Sequence, residues 1–221
     1  TLCQKRLQRV PLQYLTREQS FCGYSFLVTP DVLIPRPETE ELCERCIEIL
    51  QQSGWETPRV LDLCCGSGCI GTVVALRVPS AQVTCTDYAE SVIRIARTNA
   101  EKLGAQVSFA KGDLFEAVQD SLFDLIVSNP PYIPTADCRT LQEEVRHEPM
   151  TALDGGYDGL DFYRRIAAGA GNHLRADGVL MLEIGADKAE PVREILMAQR
   201  FSSVHVYQDL QGLDRYVEAR V

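Results

Sequence analysis

From Arg59 onward the chain alternates two periodicities, and this alternation limits the fold more than any other feature. Short runs at 60–64, 82–86, 106–110, 124–128 and 179–183 are rich in Val, Leu and Ile and read as buried strands. Between them, apolar residues recur at helical spacing, which predicts helices over 69–78, 89–102 and 160–174, with another over 188–200. Strand–helix–strand units chained in this way imply a parallel sheet covered on both faces. The last two runs, 204–208 and 215–219, lie either side of Gly212 and predict an antiparallel closing pair. Asp177-Gly178 reads as the turn into the fifth strand.

The first part of the chain has a different character. Residues up to Arg9 read as the end of a helix. Phe21, Tyr24, Phe26 and Val28 suit a hairpin turning at Cys22-Gly23. Pro35 and Pro37 hold an extended loop before a helix running to about Gln52, with Leu42, Cys46, Ile49 and Leu50 on its apolar side. The expected organisation is a small helix and hairpin appendage over 1–33 and one α/β domain over 34–221. That domain carries a mostly parallel, Rossmann-like sheet with an antiparallel C-terminal strand.

Composition removes several function classes. The formal net charge is −9, which disfavours a protein that grips nucleic acid through its phosphates. The longest apolar runs are strand-sized, and no charged-then-apolar leader opens the chain, so no membrane span or secretion signal is expected. The first residue is Thr rather than Met, which suits a piece of a longer chain. Nine cysteines, an odd number scattered mostly through apolar segments, read as reduced core thiols of a cytoplasmic protein. Cys43 and Cys46 have a pair spacing, but no second pair or histidine set matches it, so no metal is expected.

In doubly wound sheets ligands bind beyond the carboxyl ends of the strands. Four such ends here carry polar features. The first is Asp62-Leu63-Cys64-Cys65-Gly66-Ser67-Gly68, where glycines let backbone N–H groups approach a ligand. Asp87 closes the next strand, where an acid receives ribose hydroxyls; it serves equally as a helix cap. Asp113 and Leu114 follow the third strand and are placed to flank an adenine, with capping again the competing role.

The fourth end is Ser128-Asn129-Pro130-Pro131-Tyr132. Two prolines stop the strand and remove two donors, leaving the Asn129 side-chain oxygen and the carbonyls of Asn129 and Pro130 as acceptors beside the Tyr132 ring. Such a corner suits a planar –NH₂ group. Gly66, Gly68 and Gly71 also spell the dinucleotide string G-x-G-x-x-G, but Asp62 ahead of the loop opposes an anionic pyrophosphate and suits a cationic sulfonium. The combination points to S-adenosyl-L-methionine, with S-adenosyl-L-homocysteine as product.

In these motifs the sequence resembles the release-factor glutamine methyltransferases, class I enzymes that use S-adenosyl-L-methionine. The resemblance runs through Pro11-Leu12-Gln13-Tyr14, Pro35-Arg36-Pro37-Glu38-Thr39-Glu40, the loop from Asp62 to Gly68, Asp87 and the Asn-Pro-Pro-Tyr turn. It continues through Glu148-Pro149, 152–156 and 209–215. The Pro-Arg-Pro-Glu-Thr-Glu loop together with Asn-Pro-Pro-Tyr is the specific part; adenine-amine methyltransferases share the latter alone. Cys64 stands where the family commonly has glycine, a change that a negative φ would accommodate. The family's helical N-terminal domain is represented here by its last helix at most.

The resemblance implies methyl transfer to the side-chain amide of the glutamine in the Gly-Gly-Gln loop of a peptide chain release factor, by a monomer that binds no nucleic acid directly. Asn129, Pro130 and Tyr132 would be catalytic. The donor would contact Asp62, Cys64, Cys65, Gly66, Ser67, Gly68, Asp87, Asp113, Leu114 and Asn129. Asn129, Pro130, Pro131, Tyr132, Arg36 and Glu38 would meet the substrate, although an ion pair that fixes the loop explains Arg36 and Glu38 equally. No general base is required, because the proton can leave to water after transfer. Competing readings are a methyltransferase acting on an exocyclic adenine amine in DNA or RNA, a ribosomal-protein glutamine methyltransferase, and a non-catalytic cofactor-binding subunit.

Overall fold

The computed structural model describes residues 1–199 and 201–221. Two short helices, α1 (Leu2–Leu7) and α2 (Leu12–Thr16), lead into a two-stranded antiparallel hairpin of β1 (Glu18–Phe21) and β2 (Tyr24–Leu27). After α3 (Pro37–Gln52), the expected alternation follows: β3 (Arg59–Leu63), α4 (Cys69–Arg77), β4 (Gln82–Asp87), α5 (Glu90–Leu103), β5 (Val107–Lys111) and β6 (Phe123–Ser128). The chain closes with α6 (Asp161–His173), β7 (Leu174–Glu183), α7 (Ala189–Met197), β8 (Ser203–Gln208) and β9 (Asp214–Arg220).

The main sheet has seven strands in the order β5-β4-β3-β6-β7-β9-β8. The first five run parallel, and β9 is antiparallel to both β7 and β8. This is the mostly parallel α/β sheet that the alternation predicts. The order reverses at β3, so β3 and β6 flank the switch point where such sheets open a crevice.

Side chains on neighbouring positions of each central strand go to opposite faces. Val60, Leu125, Val127, Val179 and Met181 pack with α3 and α4 on one face; Leu61, Leu63, Ile126, Leu180 and Leu182 pack with α6 and α7 on the other. The hairpin packs onto the first of these faces. Phe21 and Phe26 are fully buried in the first of these clusters, meeting edge to face at 6.0 Å.

Two details depart from the sequence expectation. Strand β7 begins at Leu174, immediately after α6, and Asp177 (φ 65°) with Gly178 forms an irregularity inside it rather than a turn before it. Helix α7 ends at Met197; the expected end at Arg200 lies outside the described residues.

Asp62 is 1% exposed, on β3 beneath α4, where its Oδ2 accepts the Gly71 N–H at 2.9 Å. A side chain at Gly71 would meet Cys85 Sγ at 2.3 Å and Asp62 Oδ2 at 3.1 Å. Gly71→Ala is therefore expected to cost about 1–3 kcal/mol, because the methyl overpacks the helix–strand contact that carries this hydrogen bond. Chemical denaturation checks it, and an unchanged midpoint would refute the packing account.

Burial pushes the Asp62 carboxyl up to about 7. The folded chain thus holds this proton more tightly than the unfolded chain does. Its stabilising contribution is complete below the ordinary carboxylate value near ~4 and is lost as pH rises through the raised folded value. Asn at this position retains an acceptor for Gly71 and has no charge to desolvate. Asp62→Asn should gain stability relative to wild type as pH rises from about 4 to about 7 and hold that gain above it, read as a widening gap in urea midpoints. A gap independent of pH across that window contradicts the assignment.

Candidate active site

A cavity of about 850 Å³ opens at the carboxyl ends of β3, β4 and β6. That is ample for a nucleoside-sized ligand. Its walls include Cys64, Cys65, Gly66 and Ser67 from the glycine turn, Asp87 from the end of β4, Leu114 after β5, and Asn129 and Pro131 after β6. Eight of the residues expected from sequence therefore share one chamber. Phe162 and Arg165 of α6 and Thr39 of α3 complete parts of it.

The glycine turn is shaped from within and braced from outside. Gly66 (φ 53°) and Gly68 (φ 74°) take left-handed backbone conformations. A Cβ at Gly68 would also stand 2.9 Å from that of Ala96, so this glycine serves helix packing and does not line the cavity. Asp87 Oδ2 accepts the Gly66 N–H at 3.1 Å, and its Oδ1 accepts Ala89 N–H at 3.4 Å. It is thus a brace for the loop as well as a cavity acid, and burial raises its carboxyl above the ordinary range. Asn99 of α5 ties the same loop to the hairpin: its Nδ2 donates to the Ser67 carbonyl at 2.9 Å, while its Oδ1 accepts Leu27 N–H at 2.7 Å.

Cys64 does not have the negative φ that would have excused its replacement of glycine. Its φ is 60°, and Leu114 on the opposite wall has φ 52°. A left-handed conformation costs a residue with a Cβ about 1–2 kcal/mol, so strain is held on two sides of the cavity.

Several expected contacts fall elsewhere. Asp62 stands behind the glycine turn rather than in the chamber, with its Oδ1 buried and without a partner among the described residues. Asp113 turns to Arg165 Nη2, at 2.7 Å, and leaves the wall to Leu114 and Phe162. Arg36 does not reach the chamber. It pairs with Glu148, whose other oxygen accepts the Ile34 N–H at 3.0 Å. This is the loop-fixing ion pair, and it explains why Glu148-Pro149 belongs with the Pro-Arg-Pro loop. Glu38 lies outside the cavity wall, half-buried at the start of α3, and its charge acts on Glu183 and Tyr132.

The Asn-Pro-Pro-Tyr turn is held by the segment around Asp154. Ile133 N–H donates to the Leu153 carbonyl at 3.0 Å, and Gly155 N–H to the Ile133 carbonyl at 2.8 Å. Side chains at Gly155 or Gly159 would strike the Tyr132 backbone at 2.7 and 2.3 Å, so both glycines permit the close approach. Pro130 is buried, and its carbonyl accepts no hydrogen bond among the described residues. Tyr132 is half-buried against the second core cluster and Gly185, off the cavity wall. Burial raises its hydroxyl, with Glu183 adding to the shift.

Two residues that sequence reasoning left unassigned form a chain ending on Asn129. Its Nδ2 donates to Thr39 Oγ1 at 3.2 Å, and Thr39 Oγ1 donates to Glu183 Oε2 at 2.6 Å. The Asn129 carboxamide oxygen is thereby left without a partner among the described residues. The cysteines are free thiols, and no group of three or more metal-ligating side chains assembles among the described residues. No described helix is long and apolar enough to cross a membrane.

Comparisons with known proteins agree with this geometry. The methyltransferase small domain model matches residues 44–214. The release factor glutamine methyltransferase of Geobacter sulfurreducens is 46% identical over 221 residues, covering 100% of this chain and 76% of that protein. Its counterpart in Bordetella pertussis is 44% identical over 216 residues, 97% of this chain and 79% of the relative. A crystal structure of a release factor-specific protein-(glutamine-N5) methyltransferase from Alicyclobacillus acidocaldarius superposes with a TM-score of 0.56 at 33% identity, covering 88% of this chain and 98% of that one. A Thermus thermophilus 16S rRNA N2 G1207 methyltransferase shares the fold, with a TM-score of 0.67 at 20% identity, 92% of this chain and 49% of that one. The arrangement of glycine turn, strand-end acid and Asn-Pro-Pro-Tyr corner, carried on a sequence this similar, places the chain in the release factor glutamine methyltransferase family.

Proposed function

We propose that this chain transfers a methyl group from S-adenosyl-L-methionine to the side-chain amide nitrogen of a glutamine in the Gly-Gly-Gln loop of a peptide chain release factor, acting as a monomer in the cytoplasm. The observation that carries this reading is the state of Asn129. Its amide nitrogen donates to Thr39, its oxygen has no partner among the described residues, and the residue lines the same cavity as the glycine turn.

The residues present fit the donor. Leu114 and Phe162 offer apolar surface for a flat purine, and Asp87 retains lone pairs for a diol beyond the two N–H groups it already accepts. Ser67 Oγ and Thr86 Oγ1 are buried on this wall with no partner among the described residues, so polar capacity remains for a ligand. Asp62, behind the turn and without a partner at Oδ1 among the described residues, adds negative potential on that side in its ionised form. When bound, S-adenosyl-L-methionine supplies a methyl group on a cationic sulfur and departs as S-adenosyl-L-homocysteine.

The chain's own work is orientation. An amide nitrogen is a poor nucleophile because its lone pair is delocalised. Asn129 Oδ1 and the Pro130 carbonyl, both acceptors, take the two N–H bonds of the substrate carboxamide and build electron density on its nitrogen. These contacts strengthen as positive charge develops there. Fixing the reacting nitrogen in place contributes part of the ~7–11 kcal/mol available from proximity and orientation. The surplus proton leaves to water after the C–N bond forms, and no side chain is assigned as base.

Asn129→Ala removes the free acceptor. It should lower kcat by roughly 10²–10³-fold, as loss of one preorganised polar contact does elsewhere, and leave donor affinity nearly unchanged. The assay is labelled donor with purified release factor, followed by peptide mapping, with oligonucleotides in parallel. Label appearing on the oligonucleotides alone, or full turnover by the variant, would falsify the reading.

A further inference from the structure

Asn129 has two ends of nearly equal shape and opposite chemistry. With its oxygen toward the substrate it accepts an N–H; rotated by half a turn it presents N–H to N–H and repels the same group. Something must select one of these states, and one continuous chain of contacts beside Asn129 can.

Glu183 closes β7, and the parallel pairing of Ser128 with Leu182 sets it level with Asn129. It is 1% exposed, and it plays no part in the transfer described above. Thr39, 3% exposed in the first turn of α3, stands between the two. A hydroxyl has one proton. While a carboxylate at Glu183 accepts that proton, at 2.6 Å, the Thr39 oxygen has only lone pairs to offer its other neighbour. Asn129 can satisfy those lone pairs only with its –NH₂ end, at 3.2 Å, and its oxygen is then committed to the cavity side.

We propose that Glu183 is a positioning residue for methyl transfer: its carboxylate, acting through the Thr39 hydroxyl, holds the Asn129 amide with its oxygen toward the substrate nitrogen, and protonation of Glu183 releases that hold. The inference rests on the reading of Asn129 as the acceptor for the substrate amide.

The surroundings of Glu183 make its charge conditional. Arg215 of β9 favours the carboxylate and is itself held by Asp209 at 3.0 Å. Glu38 of α3 opposes it, and Tyr132 approaches from the turn. Tyr163 of α6 donates to the Glu183 backbone carbonyl at 2.9 Å and so fixes the residue without stabilising its charge. Burial dominates and pushes the Glu183 carboxyl up to about 7, against the hydrogen bond from Thr39 and the pull of Arg215. Once neutral, Glu183 can donate its own proton to Thr39. The Thr39 hydroxyl then turns to Asn129 as a donor and asks for the amide oxygen. Transfer should accordingly weaken as pH falls through the raised value.

The test compares wild type with Glu183→Gln, Thr39→Val and Thr39→Ser, at saturating donor and release factor, from about pH 5.5 to about pH 8.5. Wild type should lose kcat toward acid with a midpoint near 7. Glu183→Gln should flatten the acid limb, because it cannot titrate although its amide oxygen can still accept from Thr39; Thr39→Val should flatten the limb and also lower kcat at the alkaline end by roughly 10–100-fold, with donor Kd held within about threefold in both as the check on folding. Thr39→Ser keeps the hydroxyl and should restore both rate and limb. A second readout needs no turnover: the ¹⁵N resonance of the Asn129 side-chain amide should titrate with the same midpoint in wild type and stay still in Glu183→Gln. An acid limb that persists in Glu183→Gln, full kcat in Thr39→Val, or an Asn129 resonance that does not titrate overturns the relay. A wild-type protein whose Asn129 resonance titrates as expected but which methylates no release factor leaves the relay standing and defeats the proposed substrate instead.

Discussion

The register of three adjacent parallel strands governs everything at the site. Leu63 of β3 pairs with Ser128 of β6, and Ser128 pairs with Leu182 of β7. The residues that follow each of these, Cys64, Asn129 and Glu183, therefore leave the sheet at one level. Ser128 is fully buried and adds a side-chain bond, donating its Oγ proton to the Leu63 carbonyl at 2.6 Å. A slip of one residue would send β6's apolar side chains to the wrong faces of a sheet that is buried on both sides, so this register is strongly specified. The glycine turn, the acceptor corner and the carboxylate behind it are brought together by ladder geometry before any of their own contacts form.

That geometry places two carboxyls where water cannot reach them, and the chain treats them differently. Asp62 under α4 keeps a backbone N–H and a thiol as its only partners, and one oxygen has none among the described residues. Glu183 has Thr39 as its side-chain hydrogen-bond partner and Arg215 as a favourable charge. Both sit near neutrality because burial wins over these partners. Buried acids with values in this range are uncommon in structural roles and concentrate where a charge must respond to a ligand or a proton. Each stands behind a wall of the cavity, not in it, which is the position from which a charge can bias a site without touching the substrate.

The features legible in the sequence were those written within a few consecutive residues. The strand runs, the glycine turn, Asp87 and the Asn-Pro-Pro-Tyr corner each carry a local signal, because period, φ or a missing donor fixes them without a partner. The features that escaped depend on a second segment. Arg36 pairs with Glu148 across 112 residues of chain, and Asp113 with Arg165 across 52. Nothing adjacent to Asp113 in sequence distinguishes an acid facing adenine from one facing an arginine. Thr39 and Glu183 lie 144 residues apart and were invisible as a pair, although Thr39 sits inside the motif that carried the resemblance. The φ of Cys64 escapes for a related reason: φ at a turn is set by what the turn must meet, here Thr86, whose carbonyl accepts the Cys65 N–H at 3.0 Å.

Rigidity at the acceptor corner is distributed so that one torsion remains. Pro130 and Pro131 fix two φ angles, the Ile133–Asp154 bridge holds the exit of the turn, and Gly155 and Gly159 let neighbouring backbone close against Tyr132. The main chain of the corner therefore has nowhere to move, and the Pro130 carbonyl points where the fold puts it. The Asn129 amide is different. Its two orientations fill the same volume, so packing cannot choose between them, and only hydrogen-bond polarity can. A fold that freezes the backbone while leaving that choice to a hydroxyl has placed control of the corner in the neighbour that orients the hydroxyl. Among the described residues, that neighbour is Glu183.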